Sequence, residues 1–176
     1  TGGVSLKPST SMHFMKSDMG GAAAVFGAFL VAAKLQLPLR LVGAIPIAEN
    51  VMAGNALKPG DVIGSYAGKT IEVTDTDAPG RLILADALAY LLRHEKPDVL
   101  IDLATLTGAC IVALGNDVAG LMTNRQPWCD QVADAARHAG ELVWQLPMYD
   151  EYDDLIKSEV ADMKNAGPRG GGAITA

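Results

Sequence analysis

Long apolar runs alternate with short polar or glycine-rich turns along the chain. Met19 to Gln36 is a run of Ala, Val, Phe and Leu that predicts a helix, and its apolarity on nearly every side predicts burial. Asp18 stands where a cap would. Leu39–Ile47 (LRLVGAIPI) reads as a buried strand, and Glu49–Pro59 as a loop. Asp61–Thr74 reads as two short strands around "AGK", a hairpin. A second helix, apolar around most of its surface, is predicted over Arg81–His94. Asp98–Ala104 (DVLIDLA) reads as another buried strand, followed by "TLTGA". Further along, the pattern predicts a strand at Val118–Met122. It also predicts an amphipathic helix at Pro127–Ala139, with proline in its first turn, and a short helix at Tyr152–Lys157.

Buried strands alternating with apolar helices predict an α/β domain, its mostly parallel sheet covered by helices on both faces. Sites on such sheets form beyond the carboxyl ends of the strands. "TDTDAPGR" (Thr74–Arg81) and "TLTGA" (Thr105–Ala109) each follow a predicted strand and are the candidate loops.

Composition narrows the function classes. The chain has 176 residues, 49% of them hydrophobic and 19% charged, enough for one domain with a core. The net charge is -6 with no Lys/Arg run, which argues against nucleic acid as a partner. Two cysteines, Cys110 and Cys129, make no disulfide framework, so a reducing, cytoplasmic setting is expected. The apolar run Ala22–Ala33 is short for a membrane span, and no signal-peptide pattern opens the chain.

Most catalytic signatures are absent. His13, His94 and His138 are scattered without zinc-site spacing. "GGGAITA" lacks the Lys-Ser/Thr end of a P-loop. "GSYAG" (Gly64–Gly68) does not centre its serine as a nucleophile elbow does and reads as a hairpin turn. What remains is carboxylates beside cations: Asp18 with Lys7 and Lys16, and Asp75 and Asp77 with Arg81. Carboxylates suit hard or borderline divalent ions, and a nearby cation can polarise a substrate oxygen or hold a small anion. On spacing alone the alternative stands beside this: Asp18 as a helix cap, "DAPG" as a turn.

Taken together, "TGGVSLKPS", "MKSDMGGAAAV", "TDTDAPGRLILADAL", "DLATLTGAC" and "GPRGGGAITA" resemble the leucine aminopeptidase (cytosol aminopeptidase) family. They run in family order from the first residue to the last, and the family signature NTDAEGRLxLADAL is met except at its Asn and Glu. The resemblance implies the catalytic domain of a larger, homohexameric subunit, without the family's N-terminal domain. "TGGVSLKPS" and "GPRGGGAITA" read as site loops, so truncation at both ends is expected. The implied reaction removes an N-terminal residue, often Leu, from a peptide. It would use two divalent ions (Mn or Zn, with Mg or Co as options) and a bicarbonate-like anion.

Residue by residue, the resemblance makes Lys7 the group that helps polarise the scissile carbonyl and Arg81 the anion clamp. It makes Asp18 and Asp77 metal ligands. Met15, Thr105 and Gly108 would line the side-chain pocket, and Leu106 would contact substrate through its backbone. Two positions depart from the signature: Asp75 replaces its Asn, and Pro79 its Glu. The family's lysine and aspartate ligands ahead of the Thr-Gly-Gly stretch would precede Thr1. Two readings follow, a metal-dependent aminopeptidase and a catalytically inactive structural or peptide-binding relative, the latter favoured by Pro79.

Overall fold

The computed structural model describes residues 1–176. A 3-10 turn at Met12–Ser17 leads into helix α1 (Gly20–Lys34), which contains the alanine-rich run of best helix formers. The helix gives way at Gln36, whose φ is 51°, just before Pro38. Asp18 does not cap α1: the cap position is Met19 and carries no side-chain bond. Met12–Lys34 together span 23 residues and are long and apolar enough to cross a membrane by length and composition, which the shorter Ala22–Ala33 run did not anticipate.

Leu39–Ile47 and Asp98–Ala104, predicted as buried strands, have no ladder hydrogen bonds. Both segments nonetheless lie beside α1. The Phe29 ring covers Gly43, and the Leu103 carbonyl sits against Gly21. Apolar runs report a demand for burial, but a ladder also needs a partner edge, and here each run meets the helix instead.

The predicted hairpin forms as β1 (Val62–Gly64) paired antiparallel with β2 (Thr70–Glu72). Its turn closes with Ser65 N donating to Lys69 O at 2.8 Å, and Gly68 adopts φ 81°. Val118–Met122 contains β3 (Ala119–Leu121), which pairs in parallel with β4 (Val143–Gln145), a strand not anticipated. Also unanticipated is β5 (Met163–Lys164), which pairs in parallel with β2 through Ile71↔Met163 and Glu72↔Lys164. Asp162 fastens that edge: Thr70 N and Oγ1 donate to its carboxylate at 2.7 and 2.8 Å. Those bonds, the backbone one foremost, hold the Asp162 carboxyl below its ordinary pKa. The chain therefore has helices and two small sheets, one mixed in the order β1-β2-β5 and one parallel pair. This is consistent with α/β architecture, but a single mostly parallel sheet is not what its ladders form.

Helix α2 (Pro79–His94) begins two residues before the predicted start, with Pro79 in the first turn, where its missing N–H costs nothing. Helix α3 (Gly108–Leu114) was not predicted, and it is capped by Thr107, whose hydroxyl accepts from Ala109 N at 2.8 Å. Helix α4 (Gln126–Ala139) ends at Gly140, φ 77°. The short helix predicted near Tyr152 is a 3-10 turn, Asp150–Ile156.

Burial is concentrated rather than spread. The accessible surface is 12191 Å², against about 8,100 Å² for a compact monomer of this mass. The α1 faces predicted as buried lie open, Phe26 at 66% and Val31 at 54% exposure. Only eight residues are buried. Six of them (Gly2, Gly3, Ile71, Val73, Thr76 and Asn165) lie in β2 or in or against the turn that follows it.

Candidate active site

The Thr74–Arg81 stretch is a turn pinned from several directions. Within it, Asp77 N donates to Asp75 Oδ1 at 2.8 Å, an Asx-turn. Asp75 thus serves the turn's own backbone through Oδ1. Opposite, Thr76 is buried: its hydroxyl accepts from Ser5 N at 2.7 Å and donates to Gly2 O at 2.8 Å. Asn50 Nδ2 donates to Thr76 O at 2.9 Å. The opening Gly-Gly is required for this approach. Gly2 and Gly3 have φ of 82° and 61°, and a Cβ on Gly3 would come within 2.8 Å of Asn50 Oδ1.

Because Asn can replace Asp75 as an acceptor, Asp75→Asn is expected to leave the thermal midpoint within about 1 °C of the parent. Asp75→Ala strips Asp77 N of its partner, at about 1 kcal/mol, and is expected to lower the midpoint by about 2–4 °C. Differential scanning calorimetry reads both. Equal midpoints for the Ala and Asn variants would show that the Asx-turn carries no stability.

The pinned turn presents two charged groups. Asp77 Oδ1 is ion-paired with Lys7 Nζ, each side chain about one-third exposed (32% and 31%). Lys7 is itself held by its N–H donating to Thr1 O at 2.8 Å. Arg81, one turn into α2, donates from Nη1 to Asn165 O at 3.0 Å. Burial pulls the Arg81 guanidinium below its ordinary pKa while the Asp75 carboxylate pushes the other way. An arginine remains cationic at any working pH.

Asn165, which sequence reasoning missed, ties this cluster together. It is 5% exposed and follows β5, so the β2–β5 register delivers it to the turn. The sequence carries no signal for it, because the β5 pairing that places it comes from a residue pair 92 positions apart at Thr70–Asp162.

A second group forms at the mouth of α1. Thr105 Oγ1 donates to Asp18 Oδ1 at 2.7 Å. Asp18 N donates to Met15 O at 3.0 Å, which places Met15 beside the same corner. The Thr105 methyl packs against Gly20, where a Cβ would meet it at 2.9 Å. Leu106 spans the two groups, its Cδ1 lying over Gly80 at the start of α2. Gly108 opens α3, and Gly172 of the "GPRGGG" loop packs on the neighbouring Ala109. The structure therefore pairs Lys7 with Asp77, holds Arg81 to the same turn through Asn165, and groups Asp18, Thr105 and Met15 at a second corner. Leu106 lies between them.

Divalent ions ask for more than this. No three His, Cys, Asp or Glu side chains gather into a metal cage. Asp77 faces Lys7, Asp18 faces Thr105, and Pro79 has no side-chain oxygen. The donors of this chain alone do not fit two divalent ions. The histidines serve elsewhere: His13 packs on Phe14, His94 meets the Tyr66 hydroxyl at 2.6 Å, and His138 bonds Asp134 O at 2.8 Å.

The catalytic-domain profile of the cytosol aminopeptidase family matches residues 1–176. A probable cytosol aminopeptidase of Chlorobaculum tepidum is 58% identical over 176 residues, covering 100% of this chain and 35% of that protein. Among solved structures, the leucyl aminopeptidase from Trypanosoma brucei in complex with bestatin superposes with TM-score 0.92 at 40% identity, over 99% of this chain and 34% of that one. The bottromycin maturation enzyme BotP in complex with Mn gives 0.90 at 43% identity, over 98% and 38%. The chain spans about a third of the length of the curated relatives it matches.

Proposed function

The chain belongs to the cytosol aminopeptidase family, and from that premise we propose that it carries the substrate-facing part of a metal-dependent aminopeptidase that removes N-terminal residues from peptides. The observation that carries the reading is the pinned turn at the α2 terminus: Lys7 pairs with Asp77 there, and Arg81 is held to the same buried framework through Asn165. In this reading Lys7 donates to the scissile carbonyl oxygen and stabilises the charge that develops there. Arg81 would hold a bicarbonate-like anion, which would assist proton transfer. Met15, Thr105 and Gly108 line the pocket for the terminal side chain, and Leu106 presents backbone to the peptide.

Divalent ions would supply Lewis acidity to the site, as the Mn in the BotP structure suggests. Asp18 and Asp77 are the carboxylates this chain offers towards them. They require further donors, so the steps assigned here are those of the chain's own side chains. Mn or Zn is the favoured pair, with Mg or Co as options. The similarity to proteins named cytosol aminopeptidases supports a cytoplasmic setting, and the homohexamer is the assembly that the family resemblance implies.

The test is turnover of a leucine anilide by the complete polypeptide loaded with Mn or Zn. Release of leucine that stops on chelation is expected. No turnover on a panel of aminoacyl anilides would overturn the reading in favour of an inactive relative. Pro79→Glu is expected to raise metal affinity by roughly tenfold or more, because it adds a charged oxygen at the α2 terminus without loss of helix. Metal titration by calorimetry reads the change, and an unaltered affinity would place position 79 outside the metal's reach.

A further inference from the structure

Asn165 makes more hydrogen bonds than any turn it serves would need for closure alone. Its Oδ1 accepts from Thr74 N at 2.8 Å, from Thr74 Oγ1 at 3.2 Å and from Asp75 N at 3.2 Å. Its Nδ2 donates to Asp75 O at 2.7 Å and reaches Ala78 O at 3.4 Å. Its own N donates to Glu72 O at 3.0 Å, and its O accepts from Arg81 Nη1. One buried residue thus holds the backbone on both sides of Asp77 and also receives the Arg81 guanidinium.

Only a carboxamide satisfies this set. The turn offers two N–H groups that need an acceptor and two carbonyls that need a donor, and an amide supplies both from one planar group. A carboxylate of the same shape would put negative oxygen against Asp75 O and Ala78 O. A longer glutamine would displace either the turn or the β2–β5 ladder. We propose that Asn165 is the positioning residue of the site: it fixes the Asp77 carboxylate and the Arg81 guanidinium relative to one another, and it acts through them without touching substrate. The inference rests on the aminopeptidase reading for its effect on rate, and on geometry alone for its effect on the turn.

The two parts are tested together in the complete, metal-loaded polypeptide. Asn165→Ala is expected to lower kcat on a leucine anilide by about 10- to 100-fold, with KM changed less than about threefold, since misplacement by about 1 Å is enough for such losses. The Asn165 side chain grips the turn that carries Asp77, while Arg81 bonds its main-chain oxygen, which Asn165→Ala retains. A merely structural role predicts independent losses, so the Asp77→Ala background decides: there Asn165→Ala is expected to add less than about twofold, because the carboxylate it positions is already gone. Asn165→Asp is expected to fail to restore kcat. Amide exchange at residues 74–78 is expected to quicken about tenfold or more in Asn165→Ala, with exchange in α4 unchanged. Additive losses in the double variant, or full kcat in Asn165→Ala, would overturn the positioning role. If the parent protein turns over no anilide, the functional reading fails, and the amide exchange alone decides: unchanged exchange at 74–78 overturns the inference, and quickened exchange upholds its geometric half.

Discussion

Asp77→Asn in the complete polypeptide is expected to cut kcat/KM on a leucine anilide by at least about 100-fold and to lower bound metal, with little loss of fold. The amide is isosteric, and the turn that carries it is held by other groups. Asp75 Oδ1 bonds the backbone N of residue 77 whatever its side chain, and Thr76 and Asn165 grip the neighbouring peptides. What changes is charge. A neutral amide oxygen is a weaker partner for a hard cation than a carboxylate, and Lys7 loses its counter-ion. That ion pair is about one-third exposed on both sides, so its loss is worth at most about 1 kcal/mol of stability. Steady-state kinetics, elemental analysis and a melting curve together separate these effects. Parent-like metal content and turnover in Asp77→Asn would remove this residue from the donor set.

The second large effect is expected from Gly21→Ala, a change that inserts one methyl group. A Cβ there would lie 2.0 Å from the Leu103 carbonyl oxygen, 2.7 Å from its carbon and 2.8 Å from Ala104 Cα. All three are backbone atoms, so no side chain can rotate away. Either α1 or the 103–106 segment must shift by about 1 Å, at about 1–3 kcal/mol or more. The shift would carry Thr105 off Asp18 and Leu106 off Gly80, which ties a helix-packing defect to the site. Loss of soluble protein or a midpoint lowered by at least about 4 °C is expected. Gly27, on the same helix, has nothing within 4 Å of its would-be Cβ. Gly27→Ala should therefore be neutral or stabilise by about 0.5–1 kcal/mol in this chain. Equal midpoints for the two variants would show that α1 does not pack on residues 103–106 as the structure has it.

Much of the secondary structure was legible in order along the chain. The spans of α1, α2 and α4, and the β1–β2 hairpin, follow from apolar periodicity, proline at helix starts and glycine in turns, all local signals. The missed elements share a different trait. β4 and β5 are three and two residues long and exist only because a distant strand lies beside them. α3 is a single cap and two turns behind "TLTG", too short for its period to register. The converse error has the same root. Leu39–Ile47 and Asp98–Ala104 have strand-like sequences, yet apolarity cannot say whether the surface met is a strand edge or the side of a helix.

For the site, sequence alone determined which residue types are present and in what order. That was enough to name, by resemblance, Lys7 and Arg81 as catalytic candidates and Asp18 and Asp77 as metal-ligand candidates, and to mark Pro79 as a departure, because motif identity is a property of the chain. It also offered "DAPG" as a turn, next to the Asx-turn that Asp75 closes over two positions. Only the tertiary structure decided that Asp18 bonds Thr105 across 87 positions instead of capping α1, that Lys7 reaches Asp77 across 70, and that Asn165 holds the turn from the far end of the chain. Each of those contacts depends on which backbone segments lie side by side. That is set by the summed packing of the fold, and no short stretch of sequence encodes it.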